Sequence, residues 1–254
     1  MKDRSDVEPL RLQKYLAQCA LGSRRHCEIL VAEGRVTING EVVAERGARI
    51  DPECDEVSVD GHPVRRIEER RVLMLHKPQG YVTTRKDPHG KENVYQLLPQ
   101  SMRLQVFPIG RLDKDTEGLL LFSNDGQLAF RLMHPRYSVE KTYEITVEGT
   151  YERDRLRPLE EGIRLGDRLT APAKVTRLRS GKTRTVFSLT IHEGRKRQIR
   201  RMCRALGLKL LYLKRYRQGP IDLGNLPKGK WRFLDEKEIQ QLEAATQSDK
   251  SIIS

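Results

Sequence analysis

The chain has 254 residues, 37% of them hydrophobic, with 48 Lys and Arg against 35 Asp and Glu for a formal net charge of +13. That length supports one or two cores at the usual ~100–200 residues per domain; no apolar run exceeds four residues, as in Leu119 to Phe122, against the roughly 20 a membrane-spanning helix needs, which excludes such a helix. The charge is concentrated: residues 71–235 carry 34 basic and 17 acidic side chains, whereas residues 1–70 carry 12 and 14, so on charge alone a polyanionic partner such as nucleic acid and a merely solvated basic surface are equally good readings.

The start, Met1 to Arg11, alternates charges and lacks the apolar stretch of a secretory leader, so a cytoplasmic location is expected. Leu12, Tyr15, Leu16, Cys19 and Ala20 then recur at helical spacing up to Gly22, and Ser23 is placed to cap a second helix carrying Cys27, Leu30 and Val31 up to Gly34. Val36 and Ile38 alternate into Asn39-Gly40, a strong two-residue hairpin signal, with Val42 and Val43 returning. A further strand, Val57 to Val59, ends at Asp60-Gly61. The four cysteines, Cys19, Cys27, Cys54 and Cys203, include no Cys-x-x-Cys pair for a metal or a redox couple and read as reduced, mostly buried thiols.

The stretch LRLQKYLAQCALGSRRHCEILVAEGRVTINGEVV resembles the S4 RNA-binding domain over roughly 55 residues. The resemblance implies paired helices lying against structured RNA, with Arg11, Lys14, Ser23, Arg24 and Arg25 as contacts and recognition mostly of shape.

Residues 65–71, RRIEERR, have no apolar periodicity and read as a linker ahead of a strand, Val72 to Leu75. A turn is expected over His76-Lys77-Pro78-Gln79-Gly80, followed by a polar stretch from Tyr81 and a short apolar helix over Val94 to Leu98. In FPIGRLDKDTEGLLLFSNDG, residues 107–126, a loop bearing Arg111, Asp113, Asp115 and Glu117 leads into a buried strand, Leu119 to Ser123, and Asn124-Asp125-Gly126 turns into a helix ending before Pro135. Carboxylates in such a loop suit three chemistries: paired acid/base work on a glycosidic bond, a Mg²⁺ site, or a single nucleophile or base at a sugar carbon. Spacing does not choose among them.

In Thr142 to Glu148, Tyr143, Ile145 and Val147 form one face of a strand, and on pattern alone Tyr143 is the first residue of a buried face. Further strands are expected over Val175 to Leu178, Val186 to Ile191 and Leu208 to Lys214. Between the last two, a helix over Arg195 to Leu206 has an apolar stripe, Ile199, Met202, Cys203 and Leu206; Arg197, Arg200, Arg201 and Arg204 repeat on the opposite side, and Gly207 ends the helix.

The pattern G-R-L-D-x-D-T-x-G-L-L-L-x-x-N-D-G from Gly110, with Arg131-Leu132-Met133-His134-Pro135, Lys141-Thr142-Tyr143, Glu193 to Met202, Gly219-Pro220-Ile221 and Leu226 to Gly229, resembles the RsuA/RluB family of ribosomal RNA pseudouridine synthases. With the S4 unit the resemblance covers nearly the whole chain. It implies an α+β architecture, with a small N-terminal S4 domain and a catalytic domain on a mixed, mainly antiparallel sheet flanked by helices. The expected boundaries are a tail at 1–9, the S4 domain at 10–64, a linker at 65–71, the catalytic domain at 72–235, and a C-terminal helix and tail at 236–254.

By resemblance, Asp113 is the catalytic carboxylate, Arg200 its ion-pair partner, and Tyr143 stacks on the flipped base, while Arg111, Arg195, Arg197, Arg201 and Arg204 contact RNA. Asp115, Glu117 and the six histidines are given structural roles or none. The family uses no metal and no organic cofactor, and the expected partner of a monomeric chain is ribosomal RNA or a ribosomal subunit precursor, with no membrane. Ser23-Arg24-Arg25 and Gly34-Arg35-Val36 resemble large-subunit members more than the small-subunit enzyme, favouring 23S over 16S rRNA. A non-catalytic RNA-binding assembly factor and a metal-dependent nuclease are the alternatives.

Overall fold

The computed structural model describes residues 9–85 and 90–247; the expectations for the first eight residues and the last seven lie outside that range. The chain divides into two units, residues 1–70 with 100–107 and residues 71–99 with 108–254.

In the first unit, α1 (Leu12–Gln18) and α2 (Arg24–Ala32) pack beside a small antiparallel sheet ordered β2 (Glu41–Val42), β1 (Val36–Ile38), β3 (Val57–Val59), β4 (His62–Pro63). The Ser23 hydroxyl accepts the amide of His26 at 3.2 Å and so starts α2. Asn39 (φ 52°) and Gly40 (φ 86°) make the expected left-handed turn between β1 and β2. Leu12, Leu16, Cys27, Val36 and Ile50 are almost wholly enclosed and form the centre of this core.

The second unit is built on one twisted sheet. Seven of its strands form one continuous path: β5 (Val72–Lys77), β6 (Glu117–Ser123), β7 (Lys141–Glu148), β8 (Lys174–Ser180), β9 (Arg184–Ile191), β10 (Leu210–Gln218) and β11 (Trp231–Phe233). The spatial order is β8-β9-β7-β10-β6-β5-β11, and every pairing is antiparallel except β10 with β6. Every residue of β5 and β6 is buried, which is why each holds an unbroken apolar run, Val72 to Leu75 and Leu119 to Phe122, rather than an alternation. Around the sheet lie α3 (Gly126–Met133), α4 (Arg153–Glu161), α5 (Gln198–Ala205) and α6 (Glu236–Ala244). The Asp125 carboxylate caps α3 by accepting the amides of Gln127 and Leu128 at 2.8 and 3.0 Å. Among the described residues no helix is long and apolar enough to cross a membrane.

Three local expectations need correction. β5 does not stop at Leu75: His76 and Lys77 continue it and are buried, because each finds hydrogen-bond partners for its polar atoms, and the turn begins only at Pro78. The short segment Val94–Leu97 is a single 3₁₀ turn, opened by the Asn93 side chain accepting from the Tyr95 amide. The basic helix starts at Gln198 rather than Arg195, since Arg197 adopts a left-handed conformation (φ 52°) just before it. Arg195 and Arg197 therefore belong to the preceding loop. The sequence reading also passed over α4, whose interior Pro158 and few apolar residues hide it, and the short strand β11.

Candidate active site

Asp113 lies on the loop that enters β6, and the loop is held from below at several points. The ammonium of Lys77, on the adjacent strand, donates to the carbonyl oxygens of Pro78, Lys114 and Thr116 at 2.9, 3.3 and 2.8 Å. Burial pulls the Lys77 pKa down to about 8, against the opposing pull of the Asp115, Asp113 and Glu117 carboxylates. Thr83 clamps the residue before Asp113: its hydroxyl donates to the Leu112 carbonyl at 2.9 Å and accepts the Leu112 amide at 3.2 Å. The Thr116 amide closes a turn onto the Asp113 carbonyl at 3.0 Å.

Arg200, in the first turn of α5, reaches this loop. Its Nη2 donates to the Asp115 carbonyl at 2.8 Å and to the Thr116 hydroxyl at 3.3 Å. Its Nε stands 3.9 Å from Asp113 Oδ2. That separation is a charge contact rather than a hydrogen bond, and Nε is left buried without a hydrogen-bond partner among the described residues. The Asp113 side chain is 34% exposed, so the carboxylate remains open to an incoming group. α5 holds Arg200 in place through its inner face, where Ile199, Met202 and Cys203 are buried.

The other two loop carboxylates are placed differently. Asp115 is exposed. Glu117 is buried in β6, paired with His76 Nε2 at 3.1 Å and with the Lys228 ammonium at 2.9 Å. Burial drives the Glu117 carboxyl up, but hydrogen bonds from Lys228, Tyr212 and His76 outweigh this and leave it below the ordinary glutamate value. A carboxylate so fully engaged is a brace. The loop thus presents a partly open Asp113 carboxylate beside the Arg200 guanidinium, with Glu117 engaged elsewhere. Among the described residues no group of three or more His, Cys, Asp or Glu gathers in a way that could hold a metal ion.

Tyr143 is buried in β7 and stands level with Arg215 of β10, which in turn stands level with Gly118 of β6. The sheet thus sets Tyr143 two strands from the start of β6, where the Asp113 loop ends. Arg215 is itself 3% exposed, and its Nε donates to the Leu119 carbonyl at 2.9 Å. Sequence reasoning singled out neither Lys77, Thr83 nor Arg215, since all their partners but Pro78 lie 29 to 96 residues away in the chain.

The predicted RNA contacts fall into two groups. Arg111, Arg197, Arg201 and Arg204 are exposed, although Arg201 also donates to the Leu165 carbonyl at 3.1 Å. Arg195 is tied down by the Glu193 carboxylate at 3.1 Å and the Leu169 carbonyl at 2.7 Å, which makes it part of the loop's own scaffold. In the first unit Arg11, Arg24 and Arg25 are exposed and Lys14 is half-buried, while the Ser23 hydroxyl is occupied as the cap of α2. Arg11 and Arg25 line a groove of about 680 Å³ together with Arg46 and Arg49. Arg46 sits in a turn, and Arg49 in a two-residue strand, Arg49–Ile50, that pairs with Leu10–Arg11.

Comparison with known proteins adds relatives to this geometry. A family model described as RNA pseudouridylate synthase matches residues 71–205, and one for the S4 domain matches residues 10–57. The ribosomal large subunit pseudouridine synthase B of Bacillus subtilis (strain 168) is 42% identical over 246 residues, covering 95% of this chain and 98% of that protein. A protein of Aquifex aeolicus (strain VF5) known as an uncharacterized RNA pseudouridine synthase is 42% identical over 234 residues, covering 92% and 93%. A crystal structure of a pseudouridylate synthase superposes with a TM-score of 0.67 at 35% identity, covering 92% of this chain and 99% of that one.

Proposed function

Because the chain belongs to the RNA pseudouridine synthases and carries an S4 domain ahead of the synthase domain, we propose that it isomerises one uridine of ribosomal RNA, in the 23S molecule, with Asp113 as the catalytic carboxylate. The observation that carries this reading is the open Asp113 carboxylate beside Arg200, with Glu117 engaged elsewhere. The match to a Bacillus subtilis protein named for the large ribosomal subunit favours 23S over 16S.

The reaction breaks the C1′–N1 bond, turns the uracil and joins C1′ to C5; the proton lost from C5 is balanced by one gained at N1, so no co-reactant is required. An ionised carboxylate attacks C1′ or removes the C2′ proton, and both routes use the same group in the same place. Arg200 keeps that charge stable as the substrate displaces water. The target nucleotide leaves its stack to enter the site, at a cost of a few kcal/mol, and Tyr143 stacks on the extruded base. Arg111, Arg197, Arg201 and Arg204 hold flanking phosphates, while Arg11, Lys14, Arg24 and Arg25 of residues 10–64 seat the structured part of the RNA.

The test is to map pseudouridine in rRNA from cells lacking the protein after complementation with wild type or Asp113→Asn. Wild type restores one site and Asp113→Asn restores none, while the purified variant binds rRNA as tightly as wild type. Turnover by that variant removes Asp113 from the role. In the same assay Arg200→Ala lowers kcat, whereas Arg201→Ala and Arg204→Ala raise KM; three identical KM defects would make Arg200 one more phosphate contact.

A further inference from the structure

The outward side of α3 carries an uncovered aromatic cluster. Leu128, Ala129 and Leu132 point into the core, but Phe130 and Met133 are 49% and 46% exposed where a solvated helix would place charge. Pro135 stops the helix, and the His134 ring accepts the Arg136 amide at 3.2 Å to open the single turn Pro135–Tyr137. That turn folds Tyr137 back toward the helix end, so that the rings of Phe130 and His134 lie 4.9 Å apart and each is 6.3 Å from Tyr137. The Arg136 guanidinium sits 4.5 Å from the Tyr137 ring centre and 5.8 Å from that of Phe130, and it also hydrogen-bonds the Tyr137 hydroxyl.

Phe130 and His134 are exposed and Tyr137 is half-buried; such rings beside a guanidinium are suited to stacking an unpaired base while neutralising its phosphate. Residues 126–139 hold two arginines and one histidine and no carboxylate; of the flanking acids, Asp125 is engaged as the cap of α3 and Glu140 follows the turn. The cluster is also bound into the site's own framework. α3 leaves the end of β6, the strand that begins at the Asp113 loop, and Tyr137 is six residues before Tyr143, at most about 20 Å of extended chain.

We infer that Phe130, His134, Arg136 and Tyr137 form a platform that stacks an unpaired base of the substrate RNA outside the reaction pocket. The inference rests on the reading that the substrate is RNA. One strand thus contributes the flipped uridine to the site and a second unstacked nucleotide to this platform, and RNA that is paired throughout engages only the phosphate contacts.

The test uses the full-length protein and two probes of equal length: a mixed-sequence single-stranded RNA of 12 nucleotides carrying 2-aminopurine, and the same strand in a full duplex. Phe130→Ala and Tyr137→Ala each weaken single-strand binding about tenfold, reduce the quenching of 2-aminopurine, and leave duplex affinity and the salt slope unchanged, because stacking releases no counterions. Tyr137→Phe retains most of the affinity. Wild-type affinity in both alanine variants, or equal losses for single strand and duplex, overturns the platform. Concentration-dependent self-association abolished by Phe130→Ala also overturns it, in favour of a second copy as occupant. Uridine conversion in rRNA by wild type is scored in parallel: its absence defeats the functional reading, whereas its presence with unaltered single-strand binding in the variants defeats the platform alone.

Discussion

Glu117 begins the strand that follows Asp113, and its buried carboxylate joins β6 to β5 through His76 and to the 226–228 segment through Lys228. Since those hydrogen bonds hold its folded-state pKa below the unfolded value, the unfolded chain binds more protons as the pH drops through that range. The stabilisation is complete above the unfolded pKa near ~4.3 and disappears as the pH falls through the folded one. Glu117→Gln is therefore expected to lose roughly 2 kcal/mol at pH 7, with the gap to wild type narrowing as urea titrations are taken to progressively lower pH; a gap that stays constant would assign the loss to shape rather than charge. The sequence left Glu117 with a structural role or none and did not indicate its partners. Lys77 was misplaced in a turn for the same reason: a lysine is buried only where acceptors converge on it, and here two of the three come from residues 114 and 116.

The sheet consists of two antiparallel parts, β8-β9-β7-β10 and β6-β5-β11, joined by a short parallel pairing of Lys214 with Glu117 and Arg215 with Gly118. Tyr143 belongs to the first part and the Asp113 loop to the second. At the seam Gly118 has φ 118°, and a Cβ there would lie 2.1 Å from the Arg215 carbonyl oxygen, a contact with backbone that no rotamer change relieves. Gly118→Ala is expected to cost roughly 3–5 kcal/mol, read as a fall in the thermal midpoint, and the protein that remains folded should show a depressed kcat; a variant of wild-type stability would mean the seam shifts freely. Elements with a local cause were legible from the sequence: the Asn39-Gly40 turn, the Ser23 cap, the two-sided burial of β6 and the apolar stripe of α5. The seam was not, because parallel pairing between residues almost 100 positions apart leaves no periodic trace. α4 escaped for the opposite reason, its local signal being erased by Pro158.

At the scale of the molecule the basic charge belongs to the synthase segment, while residues 1–70 carry a slight acidic excess; even so, four arginines of the first unit line one groove. The same groove is lined by Glu28 and Glu33, so its basic excess is a matter of local placement rather than of the unit's net charge. Replacing Arg11, Arg25, Arg46 and Arg49 together by alanine is expected to weaken rRNA binding and to reduce the slope of log affinity against log salt by up to about three units, at ~0.7–0.9 per lost phosphate contact, with kcat little changed. An unaltered slope would remove the groove from the RNA path. The staple of Lys77 under the Asp113 loop has its own consequence for such an encounter. Ordering the four residues 113–116 costs on the order of 1–2 kcal/mol each, and the Lys77 ammonium meets that cost while the protein folds, before any RNA arrives. In the proposed reaction the loop offers every uridine the same rigid socket. Discrimination between one uridine and the next is then left to the RNA itself, to how readily each local structure opens and how well its neighbours fit the surrounding basic surface.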